Sequence, residues 1–167
     1  MGCLRFESPA LLTDCLDMAG PWSVTRKVFL WQHQNGDSIS IFDDDGLLAM
    51  AFLVSRGDGT WEFALALRAR ARERMLELCR FAHLTLARLA DTGAVIICHV
   101  MDGNKTGSRM ARLAGFTPAG GTLWKWSGKH DKRGEGSVRG QAGRYGEEEP
   151  AAPAGGERPA IAIVEHQ

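Results

Sequence analysis

The chain has 167 residues, and its 20 lysines and arginines balance its 20 aspartates and glutamates, so the formal net charge is zero. This balance gives no global field toward nucleic acid or a membrane surface, and no apolar run reaches bilayer-spanning length. The four cysteines Cys3, Cys15, Cys79 and Cys98 show no close pairing, which fits reduced, buried thiols rather than a disulfide framework.

The first elements are short. Cys3 to Phe6 reads as a strand. Ser8-Pro9 is expected to open a helix to about Met18, with Ser8 as cap and Pro9 at the first helical position. Leu11, Leu12, Cys15 and Leu16 would form its apolar face, and Gly20-Pro21 ends it. A second helix is expected over Val24 to Gln34, stopped by Asn35-Gly36.

Three strands follow. Ser38 to Phe42 alternates polar with apolar residues, as a half-buried strand does. Asp45-Gly46 supplies the positive φ of a tight hairpin turn, and Leu47 to Val54 is a long apolar strand. After Gly57-Asp58-Gly59, Thr60 to Leu67 places Trp61, Phe63, Leu65 and Leu67 on one side and Glu62, Ala64 and Ala66 on the other. The three runs predict an antiparallel meander.

Arg68 to Ala90 is predicted as the longest helix, with Met75, Leu78, Cys79, Ala82, Leu86 and Leu89 at three-and-four spacing. Ala94 to Val100 reads as a strand buried on both faces. It follows the previous strand through a helix, so the two should run parallel. Asn104 is suited to cap a helix, and Gly115 to close it in the left-handed conformation. The intervening residues fit three turns. Thr122 to Trp126 is a last strand, and most of the five tryptophans are expected to pack in the core.

From Ser127 onward the character changes. Residues 127–167 hold eight glycines and three prolines and few large apolar residues before Ile161, so this segment is expected to be a flexible tail. It is either a solvated tail or a docking arm for nucleic acid or a partner protein. Ile161 to Val164 is a short apolar run able to add a strand to another surface. The domain expectation is therefore 1–126 folded and 127–167 flexible.

The element order, and above all the segment from Asn104 to Gly115-Phe116, resembles the GNAT acyltransferase superfamily over residues 3–126. The resemblance implies an α/β fold with a GNAT-like mixed sheet: an antiparallel meander plus a parallel fourth and fifth strand pair, flanked by helices. It implies acetyl-CoA as cofactor. Leu65, Ala66 and Leu67 would hold the pantetheine arm, with Arg70 and Arg72 at the pyrophosphate and Asn104 at the fifth-strand end.

The sequence departs from the family pattern twice. Glycines that would follow Arg72 are replaced by Glu73, Arg74, Met75, Leu76 and Glu77, which removes the close backbone approach to phosphate. The tyrosine that many members place seven residues after the asparagine is Ala111 here, and the sole tyrosine is Tyr145. Glu62 on the fourth strand and His99 at the end of the fifth are the candidate bases. The plainer alternatives are a solvated strand glutamate and an ordinary core or surface histidine, as for His83. No cluster has metal-ligand spacing.

The missing glycines, the arginine-rich long helix and the Gly103-Asn104 turn are similar to a degenerate GNAT-like internal virion protein of short-tailed phages. Two functional readings stay open: an acyltransferase using acyl-CoA, or a non-catalytic phage protein whose partners are virion proteins. The implied locations are bacterial cytoplasm or phage virion interior. Nucleic-acid binding through Arg68 to Arg88 ranks below both, because acidic residues interleave.

Overall fold

The protein was described from a computed structural model, which covers residues 3–127 and the backbone of residues 164–166. The meander forms where the alternation places it. Strands β1 (Arg5–Glu7), β2 (Gly36–Asp43), β3 (Gly46–Gly57) and β4 (Thr60–Arg68) pair antiparallel in sequence order. Helices α1 (Leu12–Ala19) and α2 (Ser23–Asn35) lie between β1 and β2. After β4 come a six-residue 3-10 turn (Ala69–Arg74), α3 (Met75–Ala90), β5 (Val95–His99), α4 (Lys105–Ala114), β6 (Phe116–Gly120) and β7 (Leu123–Trp126). The last described strand is β8 (Val164–His166). Sheet order is β1-β2-β3-β4-β5-β7-β6, with β8 also on β4.

The mixed architecture matches the expectation, including the parallel β4–β5 pair. Period-two alternation on β4 sends Phe63, Leu65 and Leu67 into a large core with α3, α4 and Phe116. Ala64 and Ala66 join a smaller core on the opposite face, with Cys15, Met18, Phe29 and Phe52.

Several boundaries differ from the reading of the sequence. Ser8 does not cap α1. Its hydroxyl bonds the Ser38 carbonyl, and the Ala10 amide bonds the same carbonyl, so residues 8–10 are tied to β2 and the helix waits until Leu12. Helix α2 does stop at Asn35-Gly36, although it begins at Ser23, and the extended Gly36 leads straight into β2. The Arg68–Ala90 helix is split, because its first turn is 3-10 and regular α-helix begins at Met75. Arg68, still in β4, reaches Asp17, and Arg70 in the turn reaches Asp43 and the Leu47 carbonyl, so both side chains are engaged by distant partners. The single last strand is a hairpin, β6–β7, with β7 rather than β6 beside β5.

Strand β5 is not buried on both faces. Ile96 and Cys98 are buried against the large core, whereas Val95, Ile97 and His99 are half-exposed. The cause is coverage: the core under α1 and α2 takes in residues of β3 and β4 and none of β5. Among the tryptophans, Trp124 is buried, but Trp22 and Trp31 are exposed on the α1–α2 layer. The expected tail falls outside the described residues apart from Ser127 and β8.

The close of α4 follows the sequence. Gly115 has φ of 102°. The Trp126 indole N–H donates to the Ala114 carbonyl at 2.9 Å, and His83 Nδ1 lies 3.1 Å from the same oxygen. A Cβ on Gly115 would sit 2.8 Å from Trp126 Nε1 and 3.0 Å from His83 Nδ1. Gly115→Ala therefore meets both an unfavourable backbone region and a packed contact, and should cost about 2–3 kcal/mol in denaturant unfolding.

Candidate functional site

The site is a parting of strands. Strands β4 and β5 pair only at Thr60–Glu62 with Val95–Ile97, and Cys98 and His99 then pair with β7 instead. Beyond Glu62, β4 runs on for six more residues to Arg68 without β5. On its other edge it stays paired to β3 as far as Leu67. Leu65, Ala66 and Leu67, all buried, lie on this diverging stretch. Its outer end is occupied by β8, which pairs parallel through Ala66↔Val164, Leu67↔Glu165 and Arg68↔His166.

Glu62 stands at the mouth of the parting. Its register partner on β3 is Val54, and it shares a face with Ala64 and Ala66, the face under α1 and α2. It is 1 % exposed. Arg56 Nε lies 2.5 Å from its Oε2. That contact is close but poorly aligned, and neither carboxylate oxygen has a hydrogen bond of good geometry among the described residues. Among the described residues, Gln32 on α2 is the other buried side chain whose polar atoms have no hydrogen bond of good geometry.

Arg56 was not legible as a site residue. The β3–β4 register shifts between Ser55 and Gly57, so Arg56 is the extra residue of a bulge. A bulge re-aims the side chain it carries. Opposite charges flanking one short turn, at Arg56 and Glu62, were the available signal.

The other candidates are spread around the parting. His99 shares Glu62's face through the Glu62↔Ile97 register, one strand over and two residues on, about 8 Å or more away by sheet spacings. Its Nδ1 lies 3.4 Å from the Thr122 hydroxyl. Asn104 caps α4, its Oδ1 accepting from the Gly107 amide at 2.7 Å, as expected of a cap.

The arginine run is largely neutralised. Arg68 pairs with Asp17 at 2.8 Å, Arg70 with Asp43 at 3.1 Å and Arg74 with Glu77 at 2.7 Å. Arg72 sits in the middle of the 3-10 turn. Glu77 occupies the first turn of α3, where a helix N-terminus favours negative charge. Its hydrogen bond with Arg74 holds its carboxyl below, and the guanidinium above, their ordinary ranges.

A roomier cavity lies elsewhere. About 200 Å³ opens between the sheet and α3, walled by residues such as Ile39, Leu53, Phe63, Leu65 and Leu86. Asp37 is the one titratable group of its lining, so it is poorly equipped for chemistry. The parting, with its acid and the backbone edge that β5 leaves, is the better candidate.

The buried thiols add no nucleophile. Burial, then Asp14, pushes Cys15 up to about 11; burial pushes Cys79 up to about 11; burial, then Glu62, pushes Cys98 up to about 12. Only thiolate reacts with a disulfide reagent. At pH 8 the folded protein should therefore expose one reactive thiol, the solvent-exposed Cys3, and all four after denaturation. No His/Cys/Asp/Glu group suited to a metal occurs among the described residues, and none of their helices is long and apolar enough to cross a membrane.

No family model and no curated protein matches the chain. Solved structures do match. The ribosomal-protein-S18-alanine N-acetyltransferase from Escherichia coli aligns with a TM-score of 0.55 at 16% identity, covering 74% of this chain and 90% of that one. A Bacillus subtilis acetyltransferase in complex with CoA gives 0.52 at 17% identity, with 69% and 77% covered. An IAA acetyltransferase from Bacillus cereus gives 0.54 at 12% identity, over the same shares of 69% and 77%. At these identities the likeness is one of fold, and the fold is that of the GNAT acetyltransferases.

Proposed function

We propose that this protein transfers an acetyl group from acetyl-CoA to an amine, with the β4–β5 parting as its cofactor cleft. The observation that carries the reading is Glu62: a buried carboxylate with unused hydrogen-bonding capacity, placed where the strands part. A buried polar group without a well-aligned partner calls for an explanation, and a role in proton transfer supplies one. That one neighbour of the same fold is a CoA complex supports the cofactor.

The backbone edge of Leu65, Ala66 and Leu67 would pair with the amides of the pantetheine arm. Arg72 would meet the phosphates from the 3-10 turn, and Arg70 would join it by exchanging Asp43 for phosphate. Asn104 orders the first turn of α4. Acetyl-CoA would supply the activated acyl group; as the amine adds to it, Glu62 would take the amine proton, directly or through one water, and the CoA thiolate would leave as the C–S bond breaks. No tyrosine stands at position 111 to protonate that thiolate, so its proton must come from water or from Glu62. Fixing the two reactants in one cleft supplies much of the acceleration.

Isothermal titration of acetyl-CoA into the full chain tests this. Binding in the range of about 10–100 μM is expected, weakened about tenfold by Arg72→Ala, the loss of one charge-assisted contact. Absence of heat at millimolar acetyl-CoA, both from the folded full chain and from a variant whose β8 strand is disrupted, would overturn the reading.

A second reading is a non-catalytic phage internal virion protein built on the same fold. One observation favours it: the helix entrance that would receive a pyrophosphate holds the Arg74–Glu77 pair and no glycine. Stoichiometric incorporation into a particle, without CoA turnover, would decide for it.

A further inference from the structure

The end of β4 poses a hydrogen-bonding problem that the chain itself answers. Ala66 and Leu67 are 3% exposed, and Leu67 already pairs with Ala49 of β3 on one side. The opposite edge has lost β5 by this point. Buried backbone groups are nearly always paired, and an open strand edge is a template for another strand. The pairing Ala66↔Val164, Leu67↔Glu165 and Arg68↔His166 is one-to-one and without a bulge. Because β3 holds one edge at Leu67, β8 must lie on the other, inside the parting. It runs parallel to β4, in the direction that β5 would have continued.

We infer that the outer half of the β4 edge is a docking site for an extended peptide, that its resident occupant is the chain's own C-terminal strand, and that acyl-CoA must displace this strand to bind. The last clause rests on the acyl-CoA reading above, whereas the docking stands on the backbone register alone. Competition follows from geometry. The residues assigned to pantetheine, Leu65 to Leu67, overlap the β8 pairing at Ala66 and Leu67, and one edge can satisfy one extended backbone at a time. Tethering keeps the peptide at an effective concentration on the order of millimolar or below, so weak pairing is enough for occupancy.

The test uses the full chain and a Val164→Pro/His166→Pro double variant, which removes two backbone N–H groups from β8. Amide hydrogen exchange at Leu65 to Arg68 is expected to be about tenfold faster in the variant, and a synthetic peptide of residues 160–167 should restore protection. Unchanged exchange would overturn the docking. The apparent Kd for acetyl-CoA should fall about tenfold in the variant, since opening the edge removes the competitor. Faster exchange with an unchanged Kd would overturn the competition and leave the docking in place. Faster exchange with acetyl-CoA bound by neither protein would uphold the docking and overturn the acyl-CoA reading instead.

Discussion

Arg56→Ala is expected to lower the stability of the protein by about 3 kcal/mol. Glu62 is 1% exposed and has no well-aligned hydrogen bond, so Arg56 is what answers its charge. Removing one partner of a buried pair strands the other charge in a medium that solvates it poorly. The guanidinium itself is 27% exposed, which places the effect at the lower end of the range for fully buried pairs. The melting temperature should fall by about 10 °C in a domain of this size. The double variant Arg56→Ala/Glu62→Gln removes the stranded charge and should recover most of the loss. A single variant within about 0.5 kcal/mol of the parent would mean that solvent reaches Glu62, and the parting would then be wetter than its burial implies.

That pair also marks where the sequence stops being readable. The alternation on Thr60 to Leu67, the capping asparagine at 104 and the left-handed glycine at 115 are local signals, and each element they announce is present. The parallel β4–β5 pair followed from the helix between them. What was missed depends on distant partners. Arg68 is held by Asp17, 51 residues away, and Arg70 by the Leu47 carbonyl, 23 residues away. These anchors lie where the apparently helical run instead holds the end of β4 at Arg68 and a 3-10 turn over Ala69–Arg74. The Arg56–Glu62 contact exists because of a one-residue bulge, which leaves no trace in hydrophobic periodicity. Ser8 reads as a helix cap and is instead bound to β2, 30 residues on.

The unequal covering of the sheet has the same origin. The Ala94 to Val100 run looks two-sided because Val95 and Ile97 are as apolar as Ile96 and Cys98. Helices α1 and α2 end their contact at β4, so one face of β5 is left half-open beside Glu62. An acid lodged at the boundary between a covered and an uncovered part of the sheet is buried, yet adjacent to a half-exposed face. The candidate site is thus a consequence of where two helices stop, and no local motif encodes that.

Glu62→Gln is expected to reduce kcat for acetyl transfer about 10³-fold, with the KM for acetyl-CoA changed less than about threefold. The magnitude is that of losing a positioned general base. The KM expectation follows because Glu62 faces the α1–α2 side, whereas the cofactor is assigned to the backbone edge of Leu65 to Leu67. Glutamine keeps the shape and removes both the charge and the proton-accepting oxygen. Arg56, part-exposed, can turn to water, so the variant should remain folded, as circular dichroism would check. A structural role would depress all amines alike. A base is needed less as the amine becomes easier to deprotonate, so the variant's deficit should shrink with acceptors of lower pKa. Retention of more than half the parent kcat would remove Glu62 from the mechanism and direct attention to His99, on the same face and across the parting.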